Sequence, residues 1–288
     1  MNYKGIFFYL GLFCLPISIL SFINILYSSY FDYFLSIDAY LITLFISLIF
    51  GSSLYYYGRA ANKKINFIDQ LILIILVYFF VGILISFPYY FSIFQINFVS
   101  AYFEAISGLT GTGFSIFKNI KYLDPTLILW RSSSQWIGGL YFLIFLILCF
   151  SNKSFNYKMT NLTYSGDSNF KSEDIIKNNF LKLFIFYSIL SLIFFILLNF
   201  SGVRLFNSLN LSMTLVSGGG FIPSNTLSEI INSNFQKIVL ILLILLSMLN
   251  FYLIFNIFNK RTLLKDHKED LYLIIISLLL ISAVFFND

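Results

Sequence analysis

"SGLTGTGF", residues 107–114, holds three glycines, two threonines and no charge, and it lies between long apolar runs. A second stretch, "VSGGGF" at 216–221, has the same character. Glycine accepts backbone conformations that other residues avoid and lets backbones approach closely. Inside a membrane, irregular backbone is tolerated only where it lines a water-filled path or is buried in protein. The fold therefore turns on whether the runs around these stretches are membrane spans.

Composition says that they are. Of the 288 residues 59% are hydrophobic and 11% charged, and mean hydropathy is +0.86. Soluble domains are about 25% charged. A spanning helix needs about 20 apolar residues, and seven runs approach that length: 5–27, 38–58, 68–87, 126–150, 181–201, 236–258 and 271–286. Two segments, 97–109 and 204–216, are too short to cross, and each leads straight into a glycine-rich stretch. The first run follows Lys4 and is longer than the roughly 7–15 residues of a signal-peptide core. No small-residue cleavage site follows it, so it reads as a retained span.

Charge sets the orientation. With alternate loops assigned to the side of Lys4, that side collects thirteen of the 18 Lys and Arg residues. Positive loops stay in the cytoplasm, which places the N-terminus there. Segments 97–109 and 204–216 then both face outward, so each must enter and return on the same side. The expected architecture is an all-α, multi-pass integral membrane protein, with about seven transmembrane helices and two re-entrant pore helices. Glycine-rich return strands can turn carbonyl oxygens toward a dehydrated cation and replace its water. The hydroxyls of Thr110 and Ser217 can add oxygens at the wider end.

The two stretches also match each other. A shift of 107 positions lays residues 109–114 on 216–221 and the short helix 99–108 on 206–215. Spans 68–87 and 181–201 correspond as leading helices, and 126–150 and 236–258 as trailing helices. The chain divides into an N-terminal hairpin (1–60), a first pore unit (61–152), a second (153–262) and the leading helix of an incomplete third (263–288). Internal repeats of this kind are common in membrane transporters.

Other functions find little material. The net charge of +5 follows from the cytoplasmic loops and does not require a nucleic-acid partner. Cys14 and Cys149 lie in apolar runs and read as inert thiols. The single histidine, His267, sits in a charged loop. "GLTGTG" lacks the G-x-G-x-x-G spacing and the basic residue of a phosphate loop. No paired carboxylates or nucleophile-plus-base set lies within the spans, so the chain is not read as an enzyme, and it carries no cofactor of its own.

The residues now support a resemblance. "AYFEAISGLTGTGFS" (101–115) followed by "LILWRSSSQWIGGL" (127–140) resembles the first pore unit of the Trk/Ktr/HKT superfamily of potassium transporters, in particular its bacterial Trk membrane subunit. "LFNSLNLSMTLVSGGGFIPSN" (205–225) resembles that family's second pore loop. "LNFYLIFN" (249–256) and "KDHKEDLYL" (265–273) resemble the helix and cytoplasmic turn that follow. The resemblance runs from about residue 5 onward. It implies a K⁺ pathway, in some members Na⁺, built from four units around one axis, in the bacterial inner membrane. It also implies docking of the cytoplasmic loops 151–180 and 259–270 to a separate nucleotide-binding regulatory subunit. Each unit gives one filter strand with a key glycine. That role falls on Gly113 and Gly220, with Thr110, Gly111 and Thr112, and Ser217, Gly218 and Gly219, in the other filter places. Two positions depart from the bacterial pattern: Gly111 and Gly218 stand where threonine is usual.

Two filter strands cannot ring an ion. The expectation is a half-length or split form, completed by the missing half as a separate chain or by a second copy of this one. The alternative is a non-conducting assembly partner or an inactive fragment. Membrane lipid is the remaining expected partner.

Two charges stand near the first loop. Glu104, one turn before it, would brace the loop through backbone N–H groups, attract cations, or sit near the headgroups in a merely structural role; a charge at that depth is expensive. Arg131, after Trp130, would anchor at the interface with the tryptophan in the aromatic belt, or equally brace the pore-loop assembly, with Glu104 as one candidate partner. Gly138 and Gly139 permit close helix packing.

Overall fold

The computed structural model describes residues 1–33, 36–60, 65–94, 96–150 and 172–249, together with 272, 273 and 275–277; the side chains of 149, 150 and 172–179 are outside the description. Of the loops expected at 151–180 and 259–270, residues 151–171 and 259–270 lie outside the described residues, as do His267 and nearly all of the span 271–286, while residues 172–180 are helical and not loop.

Every regular element among them is helical. α1 (Tyr3–Tyr30) and α2 (Ile37–Gly58) form the N-terminal hairpin. α3 (Phe67–Phe91), α4 (Phe98–Leu109) and α5 (Pro125–Phe150) make the first unit. α6 (Ser172–Phe200), α7 (Leu205–Val216) and α8 (Asn234–Met248) make the second. Local chemistry sets several boundaries. The Asn97 side chain accepts from the Ser100 N–H and starts α4, and Asp69 closes a capping box on Asn66 at the start of α3. Asp124 accepts the Thr126 N–H at the start of α5. Such caps satisfy N–H groups that a helix start leaves without partners.

Among the described residues, four helices are long and apolar enough to cross a membrane: Tyr3–Tyr30, Ile37–Gly58, Phe67–Phe91 and Phe180–Phe200. α5 has 26 residues, about 39 Å at 1.5 Å per residue. Its N-terminal half is polar, because Arg131, Ser132, Ser133, Ser134 and Gln135 follow one another there. All five are buried against protein, so α5 is the central helix of the bundle. Of the run expected at 236–258, the structure describes residues 236–249. α8 ends at Met248, where the Leu249 N–H closes a tight turn onto Leu246 and the backbone leaves the helix.

α4 and α7 are both 12 residues long, about 18 Å. Phe98–Leu109 and Leu205–Val216 coincide end to end under the 107-residue shift. Both abut α5, which separates an α1–α3 core from a smaller one built on α6 and α8.

Candidate ion-conducting site

The two glycine stretches leave their helices by the same route. In the first, Thr110 N–H donates to Ile106, Gly111 N–H to Gly108 and Thr112 N–H to Ser107 (2.9, 3.0 and 3.1 Å). In the second, Ser217 N–H donates to Met213, Gly218 N–H to Leu215 and Gly219 N–H to Thr214 (3.2, 3.1 and 2.9 Å). Every donor and acceptor in one set maps onto the other under the shift. This is the paired-bond helix ending that needs a left-handed residue just past the cap. Gly111 and Gly218 supply it, with φ of +72° and +67°. The two departures from the bacterial Trk pattern are thus one departure made twice, at the position where a side chain would be strained.

Beyond the caps the loops run side by side. A Cβ placed on Gly111 would have Ser217 O, Gly218 O and Gly219 Cα all at 3.9 Å. At Gly113, whose φ is +75°, a Cβ would fall 2.6 Å from Gly220 Cα. A Cβ on Gly220 would lie 3.2 Å from Gly113 Cα. The two backbones are in direct contact, which only paired glycines allow. Thr110, Thr112, Gly218 and Gly220 are exposed. The Thr110 and Ser217 hydroxyls donate back to their own helices, at Ile106 O (2.7 Å) and Thr214 O (2.9 Å). Their lone pairs are thereby left as the groups they can offer outward.

Behind the loops stands the polar half of α5. Arg131 Nε pairs with Glu104 Oε1 at 2.8 Å, and both side chains are essentially inaccessible (1% and 0% exposed). Glu104 also accepts from the Ser115 hydroxyl (3.0 Å) and the Ile116 N–H (2.9 Å), and Arg131 Nη2 donates to Ser115 Oγ (3.0 Å). The carboxylate thus holds the return strand of the first loop. The Arg131 guanidinium lies 4.1 Å from the centre of the Phe221 ring, a cation–π contact that reaches the second loop. Trp130 is fully buried, donates to Ile85 O (3.0 Å) and packs on Tyr40. Neither residue is an interfacial anchor.

Sequence reasoning missed two residues. Gln135 Oε1 accepts the Phe221 N–H at 3.2 Å, and its amide lies flat beneath Gly219, where a Cβ would meet it at 2.5 Å. Asn225 Oδ1 accepts the Ile120 N–H at 2.7 Å and so ties the two return segments together. Both are ordinary amides far along the chain from what they hold. Gln135 stood inside the motif quoted for the resemblance, which was the one available signal. Replacing Gln135 with leucine should strip the Phe221 N–H of its acceptor and cost about 1–3 kcal/mol. Hydrogen exchange should then rise at 217–223 and stay unchanged at 110–116.

Gly138 and Gly139 seat both pore helices. A Cβ on Gly138 would fall 2.1 Å from Leu109 O, at the end of α4. One on Gly139 would fall 2.8 Å from Ser217 Cβ, at the end of α7. Gly138→Ala should push α4 off α5 and destabilise the bundle by about 1–3 kcal/mol, the usual cost of overpacking. A lowered midpoint in a detergent unfolding titration would show it.

The family follows from the sequence match that this geometry accompanies. A profile of the TrkH family, described as cation transport protein, matches residues 36–282. The chain belongs to the TrkH family of cation transport proteins. It is 29% identical over 204 residues to an uncharacterized cation transporter of Methanocaldococcus jannaschii, covering 69% of this chain and 40% of that protein. It is 23% identical over 248 residues to the Trk system potassium uptake protein TrkG of Escherichia coli, covering 83% and 51%. The crystal structure of the potassium transporter TrkH from Vibrio parahaemolyticus superposes with a TM-score of 0.77 at 19% identity, covering 90% of this chain and 53% of that one. TrkH-family proteins are membrane transporters rather than enzymes, and this chain shares their fold. It spans about half the length, or less, of these relatives.

Proposed function

We propose that this chain is a Trk-type cation translocation subunit that carries K⁺, with Thr110–Gly113 and Ser217–Gly220 as two of the strands lining its filter. The observation that carries this reading is the contact of Gly113 with Gly220 at the end of two superposable, capped pore helices. Such strands can exchange the water around a cation for backbone oxygens. Among the described residues no three His, Cys, Asp or Glu side chains gather as a metal site would require, which favours carbonyl coordination. Helices of about 18 Å cannot cross, so α4 and α7 are read as re-entrant, dipping from the outer face and returning through the glycine loops. Seven crossings with a cytoplasmic N-terminus in the bacterial inner membrane complete the topology, with the unit boundaries near 60, 152 and 262. In this reading Glu104 and Arg131 are positioning residues and do not touch the ion. The pore is half-length in this sequence, and further pore loops complete it. In this reading a cytoplasmic nucleotide-binding subunit is its regulator.

The test is uptake of ⁸⁶Rb⁺ by K⁺-transport-deficient cells that express the chain with the polypeptides encoded beside it. Uptake competed by K⁺ and lost in Gly220→Asp, from equally inserted protein, is the expected result. Equal uptake by the variant would overturn the reading.

A further inference from the structure

We propose that Ser107 is a positioning residue for ion selection: its hydroxyl latches the end of the first filter strand to α4 and keeps that strand from closing around a cation smaller than K⁺. The inference rests on the reading of Thr110–Gly113 and Ser217–Gly220 as filter strands.

Ser107 is buried in the last turn of α4, and it is bonded to each of the three residues that follow Gly111. Its carbonyl accepts the Thr112 N–H at 3.1 Å and the Gly113 N–H at 3.4 Å. The Thr112 hydroxyl lies 3.1 Å from Ser107 Oγ and 3.2 Å from Ser107 O, so its one proton is shared between them. Ser107 Oγ in turn donates to Phe114 O at 2.6 Å. Two hydroxyls are thus linked in series onto one backbone carbonyl, and in such a chain each bond polarises the next. The Phe114 carbonyl is committed to α4.

The second loop has neither part of this latch. Under the 107-residue shift Thr214 stands in the place of Ser107, and its hydroxyl donates to Asn210 O instead (3.0 Å). Gly219 stands in the place of Thr112 and has no hydroxyl to give. That strand is held from outside, where Gln135 accepts the Phe221 N–H. One strand is therefore fastened to its own pore helix and its neighbour to α5.

Selection by carbonyls depends on how many oxygens reach the ion and on how closely they can approach it. A smaller cation is held well only where the oxygens move inward to meet it. The latch opposes this in two ways. It keeps the Phe114 carbonyl out of the ligand set, and it anchors residues 112, 113 and 114 to a single buried side chain and its carbonyl. Cutting it frees one carbonyl and one strand end while both backbone bonds to Ser107 O remain. The effect falls on selection more than on conduction.

The test compares Na⁺ with K⁺ as competitors of ⁸⁶Rb⁺ uptake, in K⁺-transport-deficient cells that express the chain with the polypeptides encoded beside it. The readout is the ratio of the two half-inhibiting concentrations. Ser107→Ala and Thr112→Val each cut the latch, and each should lower the preference for K⁺ over Na⁺ by about fivefold, which is about 1 kcal/mol, the net contribution of one hydrogen bond. Thr112→Ser keeps the hydroxyl and should recover the preference that Thr112→Val loses. If Ser107→Ala does not insert, the Thr112 pair carries the test. An unchanged ratio in the inserted variants overturns the proposal. So does loss of all uptake in both, which would mark a structural need and not a selective one. Gly220→Asp separates the two failures: if it abolishes uptake while the ratio stays fixed in the latch variants, the filter reading stands and this inference falls. Uptake that survives Gly220→Asp removes both.

Discussion

Alanine at position 113 is expected to remove cation flux, while alanine at 220 leaves a reduced flux. The asymmetry comes from the geometry of one contact. A side chain at 113 meets two obstacles. Its φ of +75° lies in the left-handed region, where an L-residue is disfavoured by about 1–2 kcal/mol. Its Cβ would also stand 2.6 Å from Gly220 Cα and 2.9 Å from Gly220 N. Those are backbone atoms that cannot swing away. Position 220 has no left-handed torsion, and its Cβ would approach Gly113 Cα at 3.2 Å, which a shift of a few tenths of an ångström relieves. Ion coordination by carbonyls depends on where the strands stand, so the larger displacement should cost more transport. ⁸⁶Rb⁺ uptake per inserted chain in the assembled transporter decides the order. Equal uptake by both variants would mean that this contact is not part of the pathway.

The second large effect concerns the buried pair. Glu104→Gln should destabilise the protein by about 3–5 kcal/mol, because it leaves the Arg131 guanidinium unneutralised inside the bundle. Arg131→Leu should do the same from the other side. The double replacement Glu104→Leu with Arg131→Leu should cost less than either single change, since a matched apolar pair strands no charge. The cavity around the return strand would remain, so some loss persists: Ser115 and the Ile116 N–H still lose their acceptor. Reversible unfolding in mixed micelles gives the three values and their coupling. Additive costs would show that the two side chains act independently and that the 2.8 Å contact is energetically idle.

Much of this was readable beforehand, for definite reasons. Glycine at membrane depth has few uses, and two such stretches with matching shoulders fixed the repeat. The bounds of α4 and α7 follow from that alone. Long-range partnerships were not readable. Gln135 reaches Phe221 across 86 positions and Asn225 reaches Ile120 across 105, and no local pattern marks an amide as an acceptor for a distant strand. Trp130 and Arg131 were ambiguous because a Trp-Arg pair near a helix end suits an interface as well as a core. Only the burial of residues 126–135 of α5 separates the two. The glycines at 111 and 218 looked like two irregularities until their torsions showed one shared cap. Phe114 and Phe221 each follow a glycine and have opposite exposure, and the Arg131 and Gln135 that meet Phe221 stand far from it in the chain.

The most direct measurement is anomalous scattering from Tl⁺, a K⁺ substitute, in crystals of the assembled protein. The account predicts Tl⁺ beside the Thr110–Gly113 and Ser217–Gly220 strands, held by backbone oxygens from both, and displaced when K⁺ is added. Tl⁺ bound elsewhere in the chain, with none at the two glycine loops, would contradict it.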